Sequence, residues 1–223
     1  MKKYEFTANT KNVCGKTLFQ IKALINFGNV KVGDLGGYIE KEENLSHDGN
    51  AWVYDNACAY GNAQICGNAK IYNNVQVFGN AWVCDNAKVF GKVKIYDDAW
   101  ISGRARIFGN VCVYDNAEIY GDAEIYGNAC ICGTACVYDY AKVYDDAWIS
   151  GSACIYNNAC IYDNAEIYGD AEIYGNARIC GTACVYDYAK VYDDAWIYGN
   201  ARVYGAAWID DNAKVYGNTK INF

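Results

Sequence analysis

The sequence predicts an all-β solenoid with a β cap at its N-terminal end, and three observations predict it. From Gly49 to Asn222 a six-residue unit runs 29 times without an insertion or a deletion. Its third residue is Ala in 25 units, and its fifth is Ile or Val in every unit but one, where Ala59 stands. Proline is absent from the chain, so the turns fall to Gly, Asn and Asp at the first and second positions of the unit. Those residues tolerate left-handed backbone angles at small cost.

Each unit reads as one side of a coil. Positions three and five alternate with the two variable positions, the period-two pattern of a short strand with one buried face. Positions one and two, typically Gly-Asn, Asp-Asn or Gly-Asp, supply a corner. A strand of about four residues cannot bury its apolar edge alone, so successive strands must coil and stack. Inward Ile or Val fills the centre, each worth roughly 1.5–3 kcal/mol when buried.

The segment before the repeat has a different grammar, and the chain divides into a capping segment with irregular first coils (1–48) and the repeat (49–223). Thr17 to Leu24 alternates like a strand, Asn26 to Asn29 reads as a turn, and Asp34 to Glu40 leads into the repeat. A solenoid end exposes unpaired strand edges and needs covering.

The spacing of an aliphatic residue and a small one four positions later, as in Val53 with Ala57 and Ile65 with Ala69, resembles the hexapeptide-repeat proteins of the left-handed parallel β-helix kind. The likeness covers about four-fifths of the chain. It implies a triangular, left-handed coil of three hexads, hence about ten coils and, at ~4.8 Å per coil, a rod of roughly 45 Å. The opening residues Gly33 to Glu40 and Asn44 to His47 are similar to those of uncharacterised bacterial and bacteriophage members labelled transferase-like by fold alone. The resemblance further implies oligomers, commonly trimers. Acyltransferases of this kind use a His base, loops that interrupt the coil and a coenzyme A site between subunits.

A second repeat is nested in the first. Asp115 to Ile149 recurs as Asp163 to Ile197 with one change, Cys130 to Arg178. The offset from Asp115 to Asp163 is eight hexads, not a whole number of three-hexad coils, so the copies are expected on different faces. A site would not survive that rotation, and the block reads as scaffold.

Composition narrows the function. A net charge of −7 argues against a general nucleic-acid partner, which needs a basic face. The opening Met1-Lys2-Lys3-Tyr4-Glu5-Phe6-Thr7 lacks a signal-like apolar run and no segment reaches membrane length, so a cytoplasmic location and no membrane partner are expected. Of the 12 cysteines all but Cys14 occupy the variable columns, which reads as small apolar strand residues in a reducing compartment. Stacked pairs three hexads apart (Cys66 with Cys84, Cys112 with Cys130, Cys136 with Cys154) offer two thiols each and no third ligand, so neither a metal nor another cofactor is expected.

For catalysis the chain offers a lone His47, read as a capping residue, and no loop breaks a coil; no catalytic residue is assigned and no enzyme is expected. Glu118 with Glu124 and Glu166 with Glu172 read as solvated charge. Thr is too sparse in the repeat for an ice-binding array, and the corner Asp files are too interrupted by Gly for a DNA mimic. Outward aromatics, mostly tyrosine, recur every third hexad, from Tyr54 through Phe90 and Phe108 to Tyr162 and from Tyr120 to Tyr192, and read first as stacking ladders.

The function expected is a structural or binding scaffold presenting aromatic-rich faces, to a protein partner, to further copies of the chain or to a small molecule. The binding residues assigned are Trp82 and Trp100, at one strand position three hexads apart and each followed by a small residue where Tyr is the rule (Cys84, Ser102), together with Phe78, Phe90 and Phe108. Two alternatives stand beside it: a phage accessory protein sequestering a host factor or signalling molecule, and an acyltransferase-like enzyme.

Overall fold

A computed structural model describes residues 1–223, and the architecture is the all-β solenoid that the hexads predict. The first residue of every hexad has a positive φ, between 52° and 102°. Only Gly, Asn and Asp enter that region readily, and only those three occur there. The fourth and fifth residues form the short strands, while the third and fifth point inward and are almost all fully buried.

Successive hexads therefore lie on three sheets in rotation, which close a prism. Sheet I holds ten strands, from β4 (Trp52–Val53) to β31 (Lys214–Val215). Sheet III holds nine, from β6 (Gln64–Ile65) to β30 (Trp208–Ile209). Sheet II has 13, because β1 (Tyr4–Val13), β2 (Lys16–Ala23) and β3 (Leu35–Ile39) precede its first repeat strand, β5 (Cys58–Ala59). Within the repeat all pairs are parallel and join strands three hexads apart, as in Lys88 with Arg106 and Trp82 with Trp100. One core of 62 buried residues fills the prism. No helix is long and apolar enough to cross a membrane.

The duplicated block is rotated as its offset requires. Trp148 stands on sheet II beside Cys130 and Glu166, and its counterpart Trp196 on sheet I beside Arg178 and Lys214. Aromatic columns stack face to face: Tyr120 to Tyr192 with centroids 4.8–5.0 Å apart, and Phe90 to Tyr162 with 4.7–5.1 Å.

The N-terminal segment is a hairpin, with β1 and β2 antiparallel around Cys14 and Gly15, both at positive φ. Strand β2 pairs antiparallel with β3, and β3 runs parallel to β5. This approach is close: a Cβ on Gly37 would lie 2.5 Å from the Ala57 carbonyl oxygen and 2.7 Å from Val53 Cγ1.

The first full coil has no preceding repeat to bond its carbonyls, and three different donors replace one. The Tyr38 N–H donates to Ala57 O at 2.9 Å on sheet II. The Asn44 side-chain amide donates to Ala63 O at 2.9 Å and Gly61 O at 3.1 Å on sheet III. The Lys3 ammonium donates to Ala51 O at 3.0 Å on sheet I. Lys3 is buried, which pulls its pKa down to about 8. Leaving a buried acceptor unpaired costs about 1–3 kcal/mol. Asn44→Ala is accordingly expected to lower unfolding stability by about 1–3 kcal/mol, read as a shifted urea midpoint.

Candidate functional site

The outward column of sheet III changes character along its length. Ser46 sits where the sixth residue of a hexad would sit, because its N–H donates to Ile65 O at 2.9 Å just as Cys66 donates to Val83 O. Ser46, Cys66, Cys84 and Ser102 thus form one file of small side chains, and the tyrosine ladder starts only at Tyr120. Alongside runs the file Gln64, Trp82, Trp100, Glu118. Missing tyrosines leave a shallow groove walled by the two indoles.

Trp82 and Trp100 lie with ring centroids 5.9 Å apart at 44°, and they are 41% and 49% exposed. The stacked columns differ: Phe90 and Phe108 are inclined by 1°, Tyr138 and Tyr156 by 2°, so those rings cover one another's faces. Tilting leaves indole faces free beside a hollow of about 290 Å³ bounded by Asn80, Trp82, Asp98 and Trp100.

Of the five residues assigned from the sequence, the structure brings Trp82 and Trp100 together. Phe78 belongs to a ladder on sheet II, stacked between Tyr60 and Tyr96 at 5.0 and 4.9 Å. Phe90 and Phe108 stack on each other on sheet I. The single patch imagined for all five is therefore spread over three faces, because the sixth positions of consecutive hexads fall on consecutive sheets.

Two thiols belong to the file of small residues, Cys66 partly exposed and Cys84 buried. Cys84 is pulled below the ordinary thiol range, chiefly by the neighbouring Cys66 thiol and also by the Trp100 indole, against the opposing effects of burial and Asp85. Cys66 is correspondingly pushed up. In the equivalent positions of later coils the indole N–H of Trp148 donates to Cys132 Sγ and that of Trp196 to Cys180 Sγ, both at 3.4 Å.

At the N-terminal end of the groove a hollow of about 370 Å³ is bounded by Glu42, Ser46, His47, Gln64 and Cys66 among others. His47 stacks on buried Tyr4 at 4.4 Å, and its Nδ1 accepts the Lys3 N–H at 3.1 Å. An accepting Nδ1 places the ring proton on Nε2 in the neutral imidazole. Nε2 has no hydrogen-bond partner, the Glu42 carboxylate being 3.8 Å away. In this tautomer His47 offers a proton to a ligand acceptor. Ser46, Gln64 and the unpaired Nε2 were not singled out from the sequence, because the bridge from Leu45 to Ile65 spans more than three hexads and hides the alignment.

Comparison with known proteins adds a name to this fold. The family described as YdcK beta solenoid repeat matches residues 63–79 and 195–210. A protein of Escherichia coli (strain K12) named Uncharacterized acetyltransferase YdcK is 43% identical over 63 residues, 28% of this chain. That stretch spans 18% of the relative's length. The chain is thus similar to that repeat family over short stretches, and its stacked parallel sheets form a β-solenoid built on hexapeptide repeats. The expectation that it is no enzyme is corrected by this finding: the relative's name points, over a short stretch, toward an acetyltransferase. The sequence argument had rested on the lack of an obvious base and of coil-breaking loops.

The thiol pair gives a pH test. Ultraviolet titration of thiolate is expected to show one cysteine ionising below the ordinary thiol range, and Cys66→Ala should move that ionisation upward by removing the neighbouring thiol.

Proposed function

We propose that the chain acts as a binding scaffold whose working face is the first half of sheet III, with the tilted pair Trp82 and Trp100 as the anchor for a protein partner. The observation that carries this reading is the pair itself. It joins two half-exposed indoles in register, beside a file of small residues, on a solenoid whose other aromatic columns bury their faces in self-stacking. Tryptophans beside a shallow hollow are the residues that dominate interface energetics, each contributing about 2 kcal/mol or more when central. A second copy of the chain is the first partner to test. Light scattering on the intact protein should give an oligomer, and Trp82→Ser with Trp100→Ser should weaken association about thirtyfold or more while circular dichroism stays unchanged. An unaltered oligomeric mass in the folded double variant would reduce the pair to packing.

A second reading is acyl transfer, favoured by the name of the Escherichia coli relative and by the position of His47 at the end of the same groove. For His47 to act as a base its free nitrogen must be unprotonated, so the ring must give up the bond from Lys3 N–H or exchange tautomers. Incubation with acetyl-coenzyme A and an amine or hydroxyl acceptor tests it. Transfer lost in His47→Ala and kept in the Trp pair variant supports this second reading; transfer indifferent to both sinks it.

A further inference from the structure

We propose that the first half of sheet I is a separate binding site for a small ligand carrying two or more phosphate or carboxylate groups, held by Lys70, Lys88, Arg104 and Arg106. This goes beyond the reading above, since it concerns another face and another chemistry.

The starting observation is a ladder that ought not to be stable by itself. Lys70, Lys88 and Arg106 occupy the same outward position in three consecutive, in-register strands. Their backbones are about 4.8 Å apart, and like charges directly opposite one another on a sheet are destabilising. Elsewhere acids pair several cations at such positions: Glu124 sits between Arg106 at 2.9 Å and Lys142 at 3.5 Å, and Glu172 pairs with Lys190 at 3.0 Å; the other like-charged neighbours, Arg202 and Lys220, make a run of two. Lys70 and Lys88 have no acid within ion-pair distance.

The surroundings strengthen the local field. From Lys70 to Arg106 the sequence holds six cations and three aspartates, on a chain whose net charge is −7. Two of those aspartates are engaged, Asp85 accepting the Gly103 N–H at 3.1 Å and Asp98 the Asn80 amide at 3.0 Å. Arg104, at the corner just before Arg106, turns the ladder into a trough. That trough is an open hollow of about 560 Å³ lined by Asn86, Lys88, Arg104, Arg106 and Asp122, within the size range of small-molecule sites. Three cations face one carboxylate there. Guanidinium groups supply forked donors suited to carboxylate or phosphate, and lysines supply compact charge.

The length of the ladder decides between a small ligand and a polymer. Acids close it after three rungs, with Asp122 and Glu124 on the following coil. The uninterrupted cationic run is thus about 10 Å long, two strand spacings, a span that suits a small ligand; past Glu124 the file carries Lys142 and then an uncharged Cys160.

The test is calorimetric titration of the full chain at fixed ionic strength with inorganic tripolyphosphate in one arm and citrate in the other. Saturable binding is expected in at least one arm, and the tighter arm identifies phosphate or carboxylate as the preferred group. Lys88→Gln with Arg106→Gln should weaken it about tenfold or more, and Glu124→Gln, which frees Arg106, should strengthen it two- to threefold. Lys214→Gln with Arg202→Gln, distant on the solenoid, should change nothing. No saturable binding in either arm, or an equal loss in the distant variant, overturns the proposal. The Trp pair variant should bind as the unaltered chain does, which separates this site from the one on sheet III.

Discussion

Each coil donates its backbone N–H groups to the carbonyls of the coil that follows it, and nearly every other feature answers to that ladder. Trp52 donates to Ala69 O, Trp82 to Ala99 O and Trp148 to Ala165 O, in an unbroken series whose donor-to-acceptor step never changes. Keeping that step requires the stacked strands of every coil to stay in register, and the 29 hexads carry no insertion. It requires every corner to turn within two residues, which the left-handed φ at position one achieves. The aspartates chosen for that φ then reinforce the stack: Asp85, Asp115 and Asp163 accept the N–H of the corner residue one coil on, at 2.9–3.1 Å. A corner that looks like acidic decoration is hydrogen-bonded scaffold.

The same ladder forces like beside like. A position repeated every third hexad makes a column of equivalent side chains at strand spacing, and the chemistry of each column decides whether that helps. Flat rings gain from offset stacking. Amides gain by donating to their neighbours, as Asn50 does to Asn68 and Asn68 to Asn86. Thiols share protons. Cations gain nothing, and the run Lys70, Lys88, Arg106 is the longest such column, against two for Arg202 and Lys220. Trp82 and Trp100 do not stack flat, their rings being inclined at 44°.

The repeat was legible because its constraints are local and periodic: column one must be Gly, Asn or Asp, column three small, column five aliphatic. The strand from Lys16 to Ala23 and the approach through Gly36 and Gly37 could be read for the same reason. Strand β1 could not, since its outward face is polar and exposed and it owes its conformation to pairing with β2. Nor could the roles of Lys3 and Asn44, polar residues buried only because three carbonyls at one end need donors. For the groove, the three-hexad spacing identified the Trp pair and the small residues beside it. It misled where it was applied by hexad position without regard to face, which joined Phe78, Phe90 and Phe108 to a patch they do not share.

Where function can reside follows from the duplication. From Asp115 to Ile197 one stretch appears twice, and the copies are turned so that Glu118 stands on sheet III while Glu166 stands on sheet II. A constellation spanning several coils is present once at most, in whichever half breaks the pattern. The coils before Tyr120 break it on two faces: small residues replace tyrosine beside Trp82 and Trp100, and cations outnumber acids two to one from Lys70 to Arg106. They are also the coils nearest the hairpin, whose His47 and Glu42 lie at the groove's end. The cap fixes the first coil rigidly through backbone and side-chain donors, and rigidity is what a binding face on short strands needs. The irregular end and the irregular surface therefore adjoin one another, with the duplicated coils extending the rod behind them.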